Sequence, residues 1–224
     1  MIYPLPAVLV SCADKAGNVN LMTAAWTGTI CSDPAMVYVS IRKERHSHHM
    51  IMETGEYVIN LTTEALARAT DFNGVRSGRD MDKFKETGLT PVKGDLTYAP
   101  MVAESPVCIE CKVTNVMPLG SHDMFMAEVK AVWVDDAYMD EKGGFHLEKA
   151  DPLVYSHGQY FGIGKHLGGF GWSVRKKSAR QITETKTKTK RLSGEKTEKA
   201  DMASRSRKKN DRKSHKMRKD KRNK

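Results

Sequence analysis

The chain has 224 residues, which is enough for one domain with a buried core or for one domain and a tail. Its net charge of +10 is unevenly placed: residues 175–224 hold 22 of the 37 Lys and Arg but 6 of the 27 Asp and Glu, a net of +16, and residues 1–174 carry −6. The start, M-I-Y-P-L-P, has no charged region of a signal peptide, no stretch approaches 18 apolar residues, and four cysteines are too few for a disulfide framework. We therefore expect a cytoplasmic protein with reduced thiols, without a membrane span.

The first 174 residues alternate between short apolar strands and turns. Period-2 patterns and β-branched residues predict strands at Ala7–Cys12, Met22–Ile30, Met36–Ile41, Tyr57–Leu61, Val107–Leu119 and Phe125–Val134. Helices are predicted at Ser47–Gly55 and, from composition, at Glu64–Phe72. Many strands, few helices and no regular alternation of strand and helix predict a mainly β fold, a closed β-barrel with peripheral helices.

The stretch S-P-V-C-I-E-C-K-V contains a C-x-x-C pair, Cys108 and Cys111. Such a pair could be a dithiol redox site, half of a zinc site, or two ordinary thiols. A redox pair opens a helix, whose N-terminus stabilises the thiolate, whereas this pair lies inside an alternating strand. Side chains three positions apart in a strand point to opposite faces. The pattern therefore favours two ordinary thiols.

Two segments concentrate donors that suit an anion. The run Ser40–His49 holds arginines, histidines and a serine between a strand and a predicted helix, where guanidinium groups, a hydroxyl and helix-start amides would converge on a phosphate. The loop Asn73–Phe84 adds two arginines and Lys83 around a glycine. The alternatives are a solvated basic turn and, in H-S-H-H, a weak metal site that lacks a further ligand nearby.

Three further segments are candidates for ligand contact. Gly17–Trp26 joins a turn to a strand and ends in an aromatic side chain, although taken alone the segment favours a turn followed by a core strand. His122 lies at a predicted turn between strands, where a histidine is usually a surface residue. The glycine-rich Gly158–Gly169 is not G-x-G-x-x-G and opens no clear helix, which argues against a dinucleotide-binding Rossmann unit.

The order of these motifs resembles the flavoredoxin and wider flavin reductase-like family. The motifs are P-x-P near the start, G-N-V-N-L-M-T-A-A-W, D-P, V-S-I-R-K, R-H-S, G-E-Y-V-I-N-L, S-G-R-D-x-D-K-F, T-G-L-T-P, E-S-P-V-C-I-E-C, G-S-H, E-V and P-L-V-Y…Y-F-G-I-G. The resemblance runs from about Tyr3 to Val174. It implies a split β-barrel that binds FMN, usually as a homodimer with cofactor sites near the subunit interface.

The resemblance also implies which side chains contact the cofactor. Contacts to the flavin ring are expected from Asn20, Thr23 and Trp26, and from the aromatic Tyr160 or Phe161. Contacts to the phosphate or ribityl chain are expected from Ser47, Ser77, Arg79 and Lys83. His122 would face the flavin and act as the catalytic residue, since a positive charge from it or from Lys83 would stabilise the reduced ring. No metal is expected.

The implied function is an FMN-binding oxidoreductase that passes electrons between NADH, NADPH or a redox partner protein and an acceptor. The resemblance implies a flavin reductase-like FMN-binding split-barrel domain at residues 1–174. We expect a basic low-complexity tail at residues 175–224, which lacks apolar periodicity and is predicted to be disordered. Two alternatives remain at this point: a flavin-binding protein without turnover, and a protein that binds nucleic acid nonspecifically through the tail. The tail could equally be an extension without function.

Overall fold

The structure, a computed structural model, describes residues 2–175, and Met1 and residues 176–224 lie outside the described residues. Nearly all of the predicted basic tail therefore falls outside this range, and its order and its boundary at residue 175 stay predictions. Residues up to Lys165 form one compact unit, and the described residues from His166 onward belong to a second one. Within the second unit, the described segment His166–Arg175 contains a 3-10 turn at Trp172–Val174.

The first unit is built mainly of β-strands. Its strands are β1 (Leu5–Pro6), β2 (Val8–Ala13), β3 (Val19–Ala24), β4 (Thr27–Ser32), β5 (Ala35–Arg42), β6 (Glu56–Leu61), β7 (Pro91–Val92), β8 (Met101–Val102), β9 (Val107–Pro118), β10 (His122–Val134), β11 (Leu153–Ser156) and β12 (Gln159–Gly162). Its α-helices are α1 (His46–Thr54), α2 (Ala67–Val75) and α3 (Lys83–Thr87), with 3-10 turns at Glu64–Leu66, Asp136–Tyr138 and Leu147–Ala150. None of the helices in the described part of the chain is long and apolar enough to cross a bilayer.

Seven strands form one antiparallel sheet in the order β3-β2-β6-β9-β10-β5-β4. Strands β3 and β4 lie at opposite edges of this sheet, although only Ala25 and Trp26 separate them along the chain. Such a short link spans roughly 10 Å, so the sheet must curl until its two edges meet there. The edges are not paired with each other. A curled sheet with one unpaired seam confirms the predicted split barrel.

The single strand predicted at Met22–Ile30 is wrong, because the chain changes edges within it. β3 pairs with β2 up to Ala24, and β4 pairs with β5 from Thr27 onward. The carbonyl of Trp26 accepts a hydrogen bond from the Ser40 amide at 2.8 Å, which fixes the crossing. An apolar run cannot reveal such a crossing, because the residues on both sides of it favour strands equally.

The interior of the curled sheet is filled by the inward-facing residues of its strands. Along β5, for example, the alternate positions Val37, Val39 and Ile41 are buried. The main core cluster comprises Val8, Val10, Cys12, Met22, Ala24, Val37, Val39, Ile41, Met50, Ile51, Tyr57, Ile59, Cys111, Phe125 and Ala127. It includes Met50 and Ile51 of α1, so this helix is held against the sheet by its apolar face.

Helix α1 runs from His46 to Thr54 with Gly55 as its C-cap, close to the predicted range. Gly55 adopts a left-handed conformation with φ of 67°, and its amide donates to the Ile51 carbonyl. At the other end Arg45 is extended and contributes no side-chain cap. The His48 amide donates to the Arg45 carbonyl at 3.0 Å, so the amides of His46 and Ser47, which the Arg45 side chain does not cap, are the ones available to an anion.

Strands β11 and β12 form a small sheet with β1. They are joined by a tight turn in which His157 and Gly158 have φ of 49° and 82°, as two-residue hairpin turns require. These strands were not predicted, since each is only four residues long. Up to Arg175, where the described chain ends, no α-helix follows Gly158, which agrees with rejecting a dinucleotide-binding Rossmann unit there.

Cys108 and Cys111 lie on β9 and face opposite sides of the sheet, as predicted. Cys111 belongs to the main core, whereas Cys108 packs with Val58, Leu96 and Ala99. Burial raises the pKa of both thiols, that of Cys111 to about 12. Within residues 2–175 no group of three or more His, Cys, Asp or Glu side chains is placed to hold a metal ion. The two cysteines act as small core residues.

The polar residue between the cysteines, Glu110, has a clearer structural role. Its side chain is buried and its two oxygens accept hydrogen bonds from the Leu96 amide at 3.1 Å and the Trp133 indole at 3.0 Å. The loop backbone packs so closely that a Cβ on Gly94 would clash with this carboxylate. Glu110 therefore holds the loop before β8 against the outer face of the sheet.

Candidate functional site

A cationic cavity of about 480 Å³ opens where α1, α3 and the loop between α2 and α3 meet. Its polar wall contains Arg42, Glu44, Arg45, Ser47, Arg76, Ser77, Arg79 and Lys83. Among the described residues that line it, five cations thus face one carboxylate. Guanidinium groups, an ammonium and hydroxyls at this density suit an anion with several oxygens, such as a phosphate.

Lys83 provides the buried cation of this cavity. Its ammonium donates to the carbonyls of Asn73 at 2.8 Å and Arg76 at 3.0 Å, at the end of α2. Burial, and next the charge of Arg45, lowers the pKa of Lys83 to about 8, so the side chain is still mostly charged at neutral pH. An ammonium has three N–H donors, and two serve these carbonyls. The third is available to an anion in the cavity.

The loop that carries Ser77 and Arg79 is fixed over the cavity by its own contacts. The guanidinium of Arg79 donates to the Glu44 carbonyl at 2.9 Å. Gly78 lies so close to Asn20 that a Cβ would clash with its amide group. A glycine at this position therefore allows the loop to close against β3.

Asn20 and Ser47 join the wall of the cavity on the sheet side. Both are buried, and the Asn20 amide donates to the Ser47 hydroxyl at 2.8 Å. Ser47 lies in the first turn of α1, next to the uncapped amides. The pair thus fixes the start of α1 to β3 and presents a hydroxyl to the anion position.

A second cavity, of about 500 Å³, has aromatic and small side chains in its wall. The rings of Trp26 and His122 lie 4.5 Å apart between centroids, and those of Tyr155 and Tyr160 lie 5.5 Å apart. The small residues Ala24–Ala25 leave space between the aromatic groups. Flat apolar walls of this kind suit a planar ring system.

The two cavities are parts of one cleft, because Met22, Arg42, Arg45 and Val75 line both of them. Arg45 sits at the junction, where its guanidinium donates to the Gly74 carbonyl at 2.8 Å. The cleft is cationic at one end and aromatic at the other. It therefore suits a ligand with a planar ring at one end and an anionic group at the other.

His122 is the first residue of β10 and lies opposite Arg42 in the strand register. Burial, and next the charge of Arg42, lowers the pKa of its imidazole. Its Nδ1 lies 2.9 Å from the Ser121 hydroxyl. The imidazole is therefore mainly neutral at pH 7 in the free protein and offers the cleft a hydrogen bond rather than a charge.

The structure brings most of the predicted site residues into this cleft. The cationic end contains Asn20, Ser47, Ser77, Arg79 and Lys83, and the aromatic end contains Thr23, Trp26, His122 and Tyr160. Asn20, expected beside a ring, thus lies at the anion end instead. Phe161 does not line either cavity, because it follows Tyr160 on β12 and successive side chains on a strand face opposite sides.

Comparison with known proteins identifies the family to which the chain with this cleft belongs. Residues 1–164 match the family described as flavin reductase like domain. The chain belongs to the flavin reductase like family. The match spans the split barrel and both ends of the cleft, and it ends before the basic tail.

Solved structures within and around this family support the same fold. The flavoredoxin of Desulfovibrio vulgaris (Miyazaki F) is 33% identical, with a TM-score of 0.73, over 78% of this chain and 95% of that chain. Flavoredoxin from Methanosarcina acetivorans is 27% identical, with a TM-score of 0.71, again over 78% of this chain and 95% of that chain. A relative from Aeropyrum pernix is 34% identical over 157 residues, 69% of this chain and 58% of that protein, so the chain spans little more than half of its length.

Several residues of this flavin reductase like cleft were not among the contacts that the family resemblance implied. Arg45 and His46 line it, and both belong to the basic run R-K-E-R-H-S-H-H, from which the family resemblance selected Ser47 alone. Tyr155 lines the aromatic end from β11, a strand that was not predicted. The charge of the basic run was a usable signal for the first two residues, but no local pattern indicated Tyr155.

Proposed function

We propose that the protein binds FMN in this cleft and acts as an oxidoreductase of the flavoredoxin or flavin reductase type. The observation that carries the proposal is the division of the cleft into a cationic end and an aromatic end. FMN has the matching division, with a phosphate monoester at one end and a planar ring at the other. Membership of the flavin reductase like family and the likeness to two flavoredoxins support the same conclusion.

The residues present fit the phosphate of FMN. Arg79, Lys83 and Ser47 would hold it, together with the uncapped amides of α1. The imidazole Nδ1 of His46 is a buried polar atom without a hydrogen-bond partner in the described part of the chain, and an anion in the cavity would supply one. Gly78 allows the loop over the phosphate position to approach Asn20 closely.

At the other end, Trp26 and Tyr160 would orient the ring and exclude water from it. Bound FMN would supply hydride acceptance and the return of one or two electrons to an acceptor. His122 would hold a hydrogen bond toward the ring from the start of β10. Such a function needs neither paired carboxylates nor a nucleophilic side chain, because the residues of the cleft bind and orient the cofactor.

The electron donor and the quaternary structure are further parts of the proposal. NADH, NADPH or a redox partner protein would deliver electrons to the aromatic end, where Trp26 is 38% exposed in the single chain. We propose a homodimer in which a second copy of the chain covers this end. All four cysteines are free thiols, which supports a reducing compartment such as the cytoplasm.

FMN is expected to bind more tightly than FAD by about tenfold, because the terminal monoester phosphate of FMN carries more charge for the cationic cavity than either single phosphate of the FAD diphosphate. Riboflavin, which has no phosphate, is expected to bind at least about tenfold more weakly than FMN. Fluorescence titration of the full-length protein measures all three. Tighter binding of FAD would contradict the proposal, and equal binding of riboflavin would remove the cationic cavity from the site.

Replacing Cys108 and Cys111 together by serine is expected to leave FMN binding and its anaerobic reduction by NADH or NADPH unchanged. The two thiols are buried on opposite faces of β9 and have raised pKa values, so neither is a ready nucleophile or electron relay. The double variant is expected to lose roughly 1–3 kcal/mol of unfolding free energy for burying hydroxyls in apolar surroundings. Lost reduction with FMN fully bound would show that the cysteines carry electrons.

A further inference from the structure

His46 lies at the anion end of the cleft, and its imidazole can change its protonation state there. It is the first residue of α1 and lines the cationic cavity. Its Nδ1 is buried without a hydrogen-bond partner among the described residues. A Cβ on Gly78 would come within 3.0 Å of its ring, so the loop over the cavity confines the imidazole. A confined ring with an unsatisfied nitrogen beside an anion site is positioned to become a ligand.

The surroundings of His46 keep its imidazole neutral while the cavity holds no anion. Burial, and next the charges of His49, Arg79 and Lys83, lowers its pKa below the ordinary value. The ring of His49 lies 4.8 Å away between centroids. The charged and titratable groups that face the imidazole or share its cavity are Asp14, Arg42, Glu44, Arg45, His49, Arg76, Arg79 and Lys83. Cations dominate this set, so protonation becomes favourable when an anion offsets them.

We propose that His46 binds the phosphate of FMN as an imidazolium, and that FMN binding is therefore accompanied by proton uptake at this side chain. The proposal rests on the proposed function and adds a ligand to its phosphate site. Among residues 2–175 of the free protein, no group forms a hydrogen bond with the Nδ1 of this imidazole. In the complex both ring nitrogens carry protons, and a charge-assisted hydrogen bond to a phosphate oxygen would satisfy the buried one.

The sign of the pH dependence follows from this linkage. The pKa of His46 is lowered in the free protein and would be raised in the complex by the bound dianion. As the pH falls from the pKa in the complex to the pKa in the free protein, the contribution of His46 to FMN affinity therefore grows. Two other groups change their protonation state in the same pH range. The phosphate of FMN gains a proton near a pKa of about 6, and Lys83 loses one near a pKa of about 8. Both groups are present in the wild type and in a variant of His46, so the ratio of the two dissociation constants at each pH cancels their contributions.

The test is calorimetric titration of the full-length, ligand-free protein with FMN at pH 7 in buffers of different ionisation enthalpy, which counts the protons taken up. The variant is His46→Gln, which keeps a polar side chain but does not titrate. The matched control is His146→Gln, because His146 is a surface histidine paired with Asp140 and Glu148 and lies outside both cavities. We expect wild type and the control to take up the same fraction of a proton, and His46→Gln to take up less.

The dissociation constants provide a second readout. His46→Gln is expected to weaken FMN binding by about tenfold at pH 6.5 and by no more than about twofold at pH 8.5, while riboflavin binding changes little at either pH. Equal proton uptake in wild type and His46→Gln, or a pH-independent ratio of their constants, would overturn the inference. If wild type bound no FMN at all, the proposed function itself would fail, which is a different result.

Should His46→Gln not fold, NMR titration of the histidine ring protons of the wild type decides the question. One histidine pKa that rises on addition of FMN, and does not rise on addition of riboflavin, supports the proposal. No such shift among the histidines overturns it. This measurement does not depend on turnover or on the identity of the electron donor.

Discussion

Replacing Lys83 by methionine is expected to weaken FMN binding by about ten- to a hundredfold, because it removes a charge-assisted contact worth roughly 1.5–3 kcal/mol. The ammonium also bridges the Asn73 and Arg76 carbonyls. Its loss leaves them without that donor and frees the loop that carries Arg79. We therefore expect the unfolding free energy to fall as well, by roughly 1–3 kcal/mol.

The matched control is Lys85→Met on the same helix, where the side chain is exposed and lines neither cavity. Fluorescence titration gives the dissociation constants, and urea unfolding in the absence of flavin gives the stabilities. Reduction of FMN at saturation should remain near the wild-type rate in Lys83→Met, since the residue lies at the phosphate end. An unchanged dissociation constant would show that the cationic cavity does not hold the phosphate.

Replacing Glu110 by alanine is expected to cause the largest loss of stability, about 3–4 kcal/mol. The substitution leaves the Leu96 amide and the Trp133 indole without their acceptor in a buried environment and opens a void beneath the loop at Gly94. FMN affinity should change little in the protein that remains folded, because Glu110 lines neither end of the cleft. Urea unfolding monitored by tryptophan fluorescence measures the effect.

Glu128→Ala is the control for this substitution. Glu128 lies on β10 in the same sheet and its carboxylate pairs on the surface with Lys130 at 2.7 Å. An exposed pair of this kind contributes about 0–1 kcal/mol, so the control should be nearly as stable as the wild type. A similar small loss for Glu110→Ala would mean that the loop before β8 finds other partners.

Much of the fold could be predicted because its signals are local. Alternation along β5 and β9 indicates strands that are buried on one face or on both. The same two-residue period places the side chains of Cys108 and Cys111 on opposite faces of the sheet. The left-handed Gly55 marks the end of α1. The crossing at Ala25–Trp26 could not be predicted, since it depends on how a seven-stranded sheet closes and not on the preferences of those residues.

In the candidate site, too, the residues with a local sequence signal could be predicted and those that depend on distant parts of the chain could not. Arg79 and Lys83 could be selected from their charge and spacing together with the family resemblance, and the structure places both at the cationic end. Tyr160 could be distinguished from Phe161 only once the register of β12 was known, because that register decides which neighbouring side chain faces the cleft. The environment of His46 depends on the approach of a distant loop at Gly78, which no local sequence pattern contains.

The seam between β3 and β4 has a consequence for exchange of amide hydrogens with solvent. An edge strand presents backbone N–H groups that no neighbouring strand protects, and at Ala25–Trp26 the edge forms part of the cleft wall. Amides in a sheet interior exchange through rare opening of the structure, whereas edge amides exchange through small local fluctuations. In this barrel the seam would therefore be the fastest-exchanging part of the main sheet until a ligand fills the cleft. Deuterium uptake at Ala25–Trp26 thus provides a local measure of occupancy that needs neither colour nor turnover.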